Sequence, residues 1–258
     1  MKFNYELSEK ISEFIKNATV EEINIGCSDS QVFKVVKNDN TYFIKMAKKD
    51  LLTREYNALK WLDGKLLVPK VIMYEIYNET EFLVTEAIPG EMVCSQNIIN
   101  NSDLGIKVIV EAFKNIYNVN YNECPFNVSL DYKLNLVSNN VKNGLINYDD
   151  LNEDVKEKFS TLDDILKYLY ENRFEEELCF SHGDTSLPNI FCKDDKFSGF
   201  IDVGECGIAD KWFDLAICQK SIKRNYGIEA IDKFYKELGI EPDTYKINYY
   251  LLMMQLYL

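Results

Sequence analysis

The hydrophobic pattern changes at Pro89-Gly90, and this change limits the folds available to a chain of 258 residues. Before it, short runs of β-branched and aromatic residues alternate with turn-forming residues, a pattern typical of antiparallel strands. After it, apolar residues recur at three- and four-residue steps, which is typical of amphipathic helices. The sequence therefore predicts an α+β fold in two lobes: a small antiparallel-sheet N-lobe over 1–90 and a larger, mainly helical C-lobe over 91–258.

The first lobe is expected to contain two strand pairs and one helix. The runs 31–37 and 41–47 are separated by turn-forming residues and predict a hairpin. Residues 50–62 carry apolar side chains at helical spacing and predict the helix. A second strand pair is predicted over 71–77 and 82–87, where apolar runs again flank a polar turn.

The second lobe is expected to contain several helices and one strand-rich segment. Helices are predicted over 102–117, over 162–170 behind a capping-box-like start, and from Asp210 through Arg224, with two more before the end. Between the helices at 162–170 and 210–224, residues 179–203 contain short apolar runs that are split by polar turns. This segment is expected to form small strands that carry loops.

The net charge limits the partners. The chain has 42 acidic and 29 basic side chains, for a formal net charge of −13. Such a surface repels nucleic-acid phosphates and anionic lipids, which argues against a nucleic-acid or membrane partner. Residues 1–90 hold 14 acidic and 12 basic side chains, so most of the excess lies in the second lobe. A small cationic partner fits this distribution, although solubility alone also explains it.

Cysteine and histidine usage limits the chemistry and the compartment. The seven cysteines form no C-x-x-C pair, which argues against a disulfide framework or a zinc ribbon and favours a reducing cytoplasm. The first residues lack an apolar run, so no secretory signal is expected. His182 is the only histidine, and zinc catalysis or a Ser-His-Asp triad would have to depend on it alone.

One loop-rich segment carries the side chains with the clearest chemistry. It reads H-x-D-x-x-x-x-N from His182 to Asn189, with Asp184 inside, and Asp202 follows an apolar run thirteen residues after Asn189. An Asp and an Asn five residues apart on a tight loop can point into one space, which a second Asp at a strand end can close. Oxygen ligands of this kind suit Mg²⁺ beside substrate phosphates.

The strings around these residues resemble those of the aminoglycoside phosphotransferases, and most closely those of the 3′-phosphotransferases. They are SHGD and NIF within 181–191, SGFIDVG over 198–204, ADKWFD over 209–214 and WLDGKLLVPKV over 61–71. The resemblance implies a two-lobed protein-kinase-like fold and a role in antibiotic resistance. It also implies transfer of the γ-phosphate of ATP, or alternatively GTP, with Mg²⁺, to a hydroxyl of an aminoglycoside.

The resemblance implies a role for five residues of the phosphotransfer site. Asp184 would lie beside the acceptor hydroxyl as catalytic base or orienting group. Asn189 and Asp202 would hold Mg²⁺ on the nucleotide phosphates. Lys45 would bind the α- and β-phosphates, oriented by an ion pair with Glu55. Phosphoryl transfer requires these parts: a cation on the phosphates, metal ligands and a carboxylate near the hydroxyl.

The resemblance also implies contacts with the rest of the nucleotide. Phe43 matches the aromatic residue that stacks on adenine in relatives. The backbone of Thr85, Glu86 and Ala87 would hydrogen-bond the base. Ser28 lies in the segment that would cover the phosphates, although a segment with one glycine is a weak signal by itself.

The acceptor side departs from the family pattern. Four non-acidic residues, Arg224, Asn225, Met254 and Gln255, stand where close relatives carry acids that bind the cationic sugar. Four acids are candidates to compensate, namely Asp150, Glu153, Asp154 and Glu205. Two alternatives to phosphorylation of an aminoglycoside therefore stay open. One is the same transfer onto another cationic or sugar alcohol, choline-like or an amino sugar, and the other is a non-catalytic nucleotide-binding pseudokinase.

Overall fold

The computed structural model describes residues 3–23 and 30–257, and the chain divides into two compact units. The first unit comprises Met1–Glu91 and Asn189–Glu205, and the second comprises Met92–Pro188 and Cys206–Leu258. The sequence predicted a single division after residue 90. The later segment joins the first unit because its backbone is bonded there: Phe200 N–H donates to Leu67 O at 2.8 Å.

The first unit is built on a five-stranded antiparallel sheet of order β1-β2-β3-β5-β4. Helix α1 is Glu9–Ile15 and α2 is Thr53–Leu62. The strands are β1 (Thr19–Ile23), β2 (Gln31–Lys37), β3 (Asn40–Lys48), β4 (Val71–Tyr77) and β5 (Thr80–Glu86).

Turn chemistry and alternation explain the sheet. Asn38 and Asp39 have φ of 50° and 63°, the positive values that a two-residue hairpin turn demands, and they join β2 to β3 as predicted. Phe33 on β2, Ile44 on β3 and Phe82 on β5 are buried in one apolar cluster with residues of α1 and β4 packed against or within it. The cluster buries one face of the sheet.

The second unit is mainly helical. Its helices are α3 (Gln96–Ile99), α4 (Ser102–Tyr117), α5 (Leu130–Lys142), α6 (Glu153–Lys156), α7 (Leu162–Glu171), α8 (Lys211–Tyr226), α9 (Glu229–Leu238) and α10 (Thr244–Met253). The remaining strands are β6 (Glu91–Met92), β7 (Leu178–Ser181), β8 (Ile190–Lys193), β9 (Lys196–Phe200) and β10 (Gly207–Asp210). Strands β7 and β10 pair antiparallel in the second unit, and β8 and β9 form a hairpin in the first.

The predicted helices 102–117 and 162–170 are confirmed, and the second begins with a cap in which Asp164 N–H donates to Thr161 Oγ1 at 3.1 Å. Helices α1 and α5 were missed. In α5 the buried face includes Lys133 and Asn140, and these polar residues hide the apolar periodicity on which the prediction depends. Among the described helices, none is both long enough and apolar enough to cross a membrane.

Gly90 shows why the chain needs glycine at the predicted break. It has φ of +102°, and an added Cβ would lie 2.0 Å from the backbone oxygen of Cys192. Gly64 also has positive φ, +73°, but nothing lies within 4 Å of its added Cβ. A side chain at Gly64 would therefore cause backbone strain alone, whereas one at Gly90 would cause backbone strain and a steric clash.

We expect Gly90→Ala to destabilise the protein far more than Gly64→Ala. Left-handed strain costs about 1–2 kcal/mol at either site, and displacing the Cys192 backbone adds about 1–3 kcal/mol at the first. Urea unfolding of the two variants and the parent protein measures the difference. Equal losses of unfolding free energy in the two variants would contradict the close approach at Gly90.

Candidate active site

Three charged side chains of the first unit meet at the Lys45 ammonium group. Lys45 Nζ on β3 lies 2.7 and 2.9 Å from the carboxylate oxygens of Glu55, on the first turn of α2. It also lies 3.0 Å from Oδ1 of Asp202, which is 157 residues away in the chain. The side chains of Lys45 and Glu55 are largely buried, whereas that of Asp202 is 57% exposed. The cluster therefore presents one carboxylate to solvent.

The electrostatics of this cluster favour a bound cation. Burial lowers the pKa of Lys45, but the charges of Glu55 and Asp202 outweigh it and the pKa lies above its ordinary value. Burial raises the pKa of Glu55, with a further contribution from Asp202 and opposition from Lys45. One ammonium group between two carboxylates leaves a negative charge in excess when all are ionised. An additional cation at Asp202 would balance it.

Asn189 and Asp202 are the predicted Mg²⁺ ligands, and their side chains carry the oxygen donors that Mg²⁺ takes. Their backbones are linked, since Ile201 N–H donates to Asn189 O at 3.0 Å. Asp202 adopts the positive φ of 62°, which ordinary residues avoid, directly after that bond. Within the described residues, no group of three or more His, Cys, Asp or Glu side chains is placed to hold a metal ion. A carboxylate and an amide oxygen nevertheless suffice for Mg²⁺, which takes its other ligands from phosphates and water.

The loop of the second unit that carries Asp184 is held by a buried carboxylate on α8. The amides of His182 and Gly183 donate to Asp214 at 2.7 and 3.0 Å, and the Thr185 hydroxyl donates to the Asp214 backbone oxygen at 2.6 Å. Burial raises the pKa of Asp214, and the two amides oppose that shift. Asp214 therefore braces the loop that carries Asp184.

Asp184 is half-buried and is oriented by its own loop. Ser186 N–H donates to Asp184 Oδ1 at 3.1 Å, and Asp184 N–H donates to Nδ1 of His182 at 3.2 Å. His182 is fully buried, and its Nδ1 accepts this hydrogen bond within the loop. His182 therefore supports the loop, and the carboxylate of Asp184 is the more exposed of the two groups.

The residues predicted to bind the nucleotide base lie at one end of the sheet. Phe43 is two residues before Lys45 on β3 and pairs in register with Thr85 on β5, so these side chains share a face. The amides of Glu86 and Ala87 donate to Lys70 O and Thr41 O at 2.9 and 3.0 Å. Their N–H groups are therefore engaged within the chain, and base contacts there remain a prediction. Ser28 lies outside the described residues.

The acidic candidates for the acceptor are exposed and lie in two places. Asp150 ends a 3₁₀ turn, and Glu153 and Asp154 begin α6, all in the second unit. Asn152 N–H in the same segment donates to Oε1 of Gln255 at 3.1 Å. The segment that holds these three acids therefore contacts Gln255, a C-terminal position where the family pattern has an acid. Glu205 is exposed in the first unit.

Asn225 and Arg224, two other departures from the family pattern, do not bring a carboxylate to the site. Asn225 Nδ2 donates to the backbone oxygen of Ser221 at 2.8 Å, and Arg224 is exposed on α8. Ser221 also supports the Asp184 loop, although no motif predicted this role. Its hydroxyl accepts Leu187 N–H at 3.0 Å and holds the end of the loop after Asp184. Asp214 and Ser221 are seven residues apart, two helical turns, and this spacing of polar residues was the available signal.

Comparisons with known proteins show the family of the chain. A family model described as "Phosphotransferase enzyme family" matches residues 19–247. The chain belongs to this phosphotransferase enzyme family. It is 32% identical over 260 residues to an aminoglycoside 3′-phosphotransferase of Enterococcus faecalis, covering 97% of this chain and 98% of that one. It is 31% identical over 263 residues to one of Acinetobacter baumannii, covering 97% and 99%.

Solved structures confirm the predicted α+β, protein-kinase-like fold class. An aminoglycoside 3′-phosphotransferase of type VIII matches with a TM-score of 0.79 and 24% identity, over 92% of this chain and 94% of that one. An aminoglycoside phosphotransferase of Streptomyces rimosus, in complex with ADP and streptomycin, matches with a TM-score of 0.75 and 21% identity, over 93% and 92%. The predicted enzyme class is also confirmed: the protein is a phosphotransferase with an alcohol group as acceptor.

We expect Asp214→Asn to lower kcat for phosphotransfer by about tenfold or more, because a carboxamide can no longer accept both loop amides and the Asp184 loop loosens. Asp210→Asn is the matched control. Asp210 is a buried carboxylate four residues earlier that accepts Glu177 N–H and the Tyr250 hydroxyl.

Both substitutions should reduce the unfolding free energy by about 1–3 kcal/mol, since each weakens a buried hydrogen-bond network. Only the first should reduce kcat beyond what partial unfolding explains. Steady-state kinetics and thermal unfolding measured side by side make the comparison. An equal drop of kcat in Asp210→Asn would show that Asp214 supports the fold and not the loop in particular.

Proposed function

We propose that the protein transfers the γ-phosphate of a nucleoside triphosphate, with Mg²⁺, to a hydroxyl group of an aminoglycoside. The observation that carries the proposal is the contact of Lys45 Nζ with both Glu55, at 2.7 Å, and Asp202, at 3.0 Å. Phosphoryl transfer passes through a loose transition state, so the enzyme mainly positions groups and neutralises charge. This cluster supplies a fixed cation and a metal-type carboxylate at one place.

In the first unit, Lys45 would bind the α- and β-phosphates while Glu55 fixes its ammonium group. Asn189 and Asp202 would hold Mg²⁺, and the ion, when bound, neutralises charge on the phosphate oxygens. The raised pKa of Lys45 supports this role, because the side chain stays charged throughout the neutral pH range.

In the second unit, Asp184 would act on the acceptor hydroxyl. The Ser186 amide holds Asp184 Oδ1, and the Asp214 carboxylate holds the loop on the other side of Asp184. Such support limits rotation of the carboxylate, so that it can orient the hydroxyl and accept its proton as the oxygen attacks phosphorus. Asp184 is the catalytic residue of the proposal.

The relatives support ATP and an aminoglycoside as substrates. The two relatives named above for their sequences are aminoglycoside 3′-phosphotransferases, and the Streptomyces rimosus relative binds ADP and streptomycin. The acids Asp150, Glu153 and Asp154 are exposed beside Gln255 and would attract a polycation. GTP remains an alternative donor, Glu205 a candidate acceptor contact, and a cytoplasmic location a prediction.

A second candidate acceptor is another cationic or sugar alcohol, choline-like or an amino sugar. Gln255 and Asn225 carry amides where the family pattern has carboxylates. Gln255 accepts a hydrogen bond from Asn152 N–H, and Asn225 donates one to the Ser221 backbone oxygen. Loss of those acids should weaken a polyamine acceptor more than a singly charged one, because each missing contact removes an ion pair.

A panel of acceptors separates these candidates. Purified protein with Mg²⁺ is incubated with ATP or GTP and with kanamycin, neomycin, choline or glucosamine, and phosphorylated product is identified by mass spectrometry. We expect transfer to kanamycin or neomycin. Transfer only to choline or glucosamine would move the function to the second candidate. No transfer and no nucleotide hydrolysis with any acceptor would leave a pseudokinase.

We expect Asp184→Asn and Asp202→Asn to fail in different ways. The first should lower transfer by about 10²–10⁴-fold with unchanged nucleotide affinity, because it removes the group that acts on the hydroxyl. The second should raise the Mg²⁺ concentration needed for half-maximal activity, because it removes a metal ligand. Initial rates over a Mg²⁺ series, together with nucleotide titrations, measure both effects.

Asp194→Asn is the control for these substitutions, since Asp194 is an exposed turn residue with φ of 50° between β8 and β9, where asparagine is equally accepted. It should leave both quantities unchanged. An unaltered Mg²⁺ requirement in Asp202→Asn would remove Asp202 from the metal site.

A further inference from the structure

Glu81 is a fully buried acid in the first unit, and the proposed function does not yet use it. It lies on β5, the strand between β3 and β4, with 0% of its surface exposed. A buried carboxylate is costly unless donors surround it. Glu81 accepts four hydrogen bonds: from the amides of Leu52 and Thr53 and from the hydroxyls of Thr53 and Tyr74, the Thr53 amide at 3.2 Å.

Two of these donors are the backbone amides at the start of α2. The first amides of a helix have no partner inside the helix, and a polar side chain at the N-cap normally accepts one of them. Here the N-cap is Leu52, whose apolar side chain cannot do so. Glu81 replaces the missing cap from the neighbouring strand, and its negative charge also suits the positive end of the helix dipole.

The register of the sheet relates Glu81 to Lys45. Lys45 and Ala47 are two residues apart on β3 and lie on the same face, and the residue opposite Ala47 on β5 is Glu81. Helix α2 therefore contacts one face of the sheet at two points. Its first amides meet Glu81, and Glu55, three residues after Leu52, meets Lys45.

The titration behaviour of Glu81 agrees with this geometry. Burial raises the pKa of Glu81, but the hydrogen bonds from Thr53, Tyr74 and the Leu52 amide outweigh burial, and the pKa lies below its ordinary value. The carboxylate is therefore ionised at neutral pH. An ionised carboxylate only accepts hydrogen bonds, and the four groups listed above all donate to Glu81.

We propose that Glu81 is a positioning residue for phosphotransfer: by holding the start of α2 against the sheet, it sets where Glu55 meets Lys45. The proposal rests on the proposed role of Lys45 in binding the nucleotide phosphates. A residue that served only the stability of the first unit would change the unfolding free energy and leave the kinetics of the folded enzyme unaltered.

The test is a double-mutant cycle of Glu81→Gln and Glu55→Gln, with KM for the nucleotide, KM for the acceptor and kcat measured for each variant. Glu81→Gln alone should raise the nucleotide KM by about three- to tenfold, because a carboxamide cannot accept all four donors. Glu55→Gln alone should raise it at least as much. Adding Glu81→Gln to Glu55→Gln should produce little further change, and the acceptor KM should stay constant.

Two further variants keep the result interpretable. Ser8→Ala is the matched control, because Ser8 caps α1 of the same unit by accepting Ile11 N–H at 3.1 Å and contacts no part of α2 in this role. It should lower the unfolding free energy and leave the nucleotide KM unchanged. Tyr74→Phe removes one donor to Glu81 and should raise the nucleotide KM by about twofold. It carries the test if Glu81→Gln does not fold.

The outcomes separate this proposal from the proposed function. An unchanged nucleotide KM in Glu55→Gln would overturn the role of the Lys45 cluster and, with it, the role of Glu81. A raised KM in Glu55→Gln with an unchanged KM in Glu81→Gln would overturn the role of Glu81 alone. The same rise from Glu81→Gln with and without Glu55 would also overturn it, since Glu81 would then act by another route.

Discussion

One ammonium group shared by two carboxylates is the interaction on which the site of the first unit depends. Lys45, Glu55 and Asp202 come from a strand, a helix and a late loop, and their charges bring these three segments together. Because Lys45 and Glu55 are largely buried, neither charge is stable without the other. The same excess of negative charge that holds the lysine would allow Asp202 to bind a further cation, so the ion pair and the proposed metal site are one arrangement.

Buried carboxylates that accept backbone amides recur in both units. In the second unit Asp214 holds the amides of His182 and Gly183, and in the first Glu81 holds those of Leu52 and Thr53. In each case an acid that would be costly alone is balanced by main-chain donors. The result is a fixed position for the segment that follows, which carries either the proposed catalytic aspartate or the partner of the lysine proposed to bind the phosphates.

The proposed acceptor site differs from these buried arrangements, because its candidate residues are exposed. Asp150, Glu153 and Asp154 are exposed in the segment that contacts Gln255, and Glu153 is paired with Lys156 at 2.6 Å. Exposed charges attract a cation at long range but orient it weakly. For this reason the buried residues of the site indicate the reaction more specifically than the exposed acids indicate the acceptor.

Short-range patterns in the sequence determined much of this protein. The β2–β3 hairpin, helix α4 and the Asp184 loop were predictable because turn residues, apolar periodicity and motif spacing act over a few neighbouring residues. Only the tertiary structure decided that Asp202 touches Lys45 across 157 residues, that 189–205 joins the first unit, and that Glu81 caps α2. Each of these depends on which segments pack together, and a buried charge finds its partners through that packing and not through its neighbours in the chain.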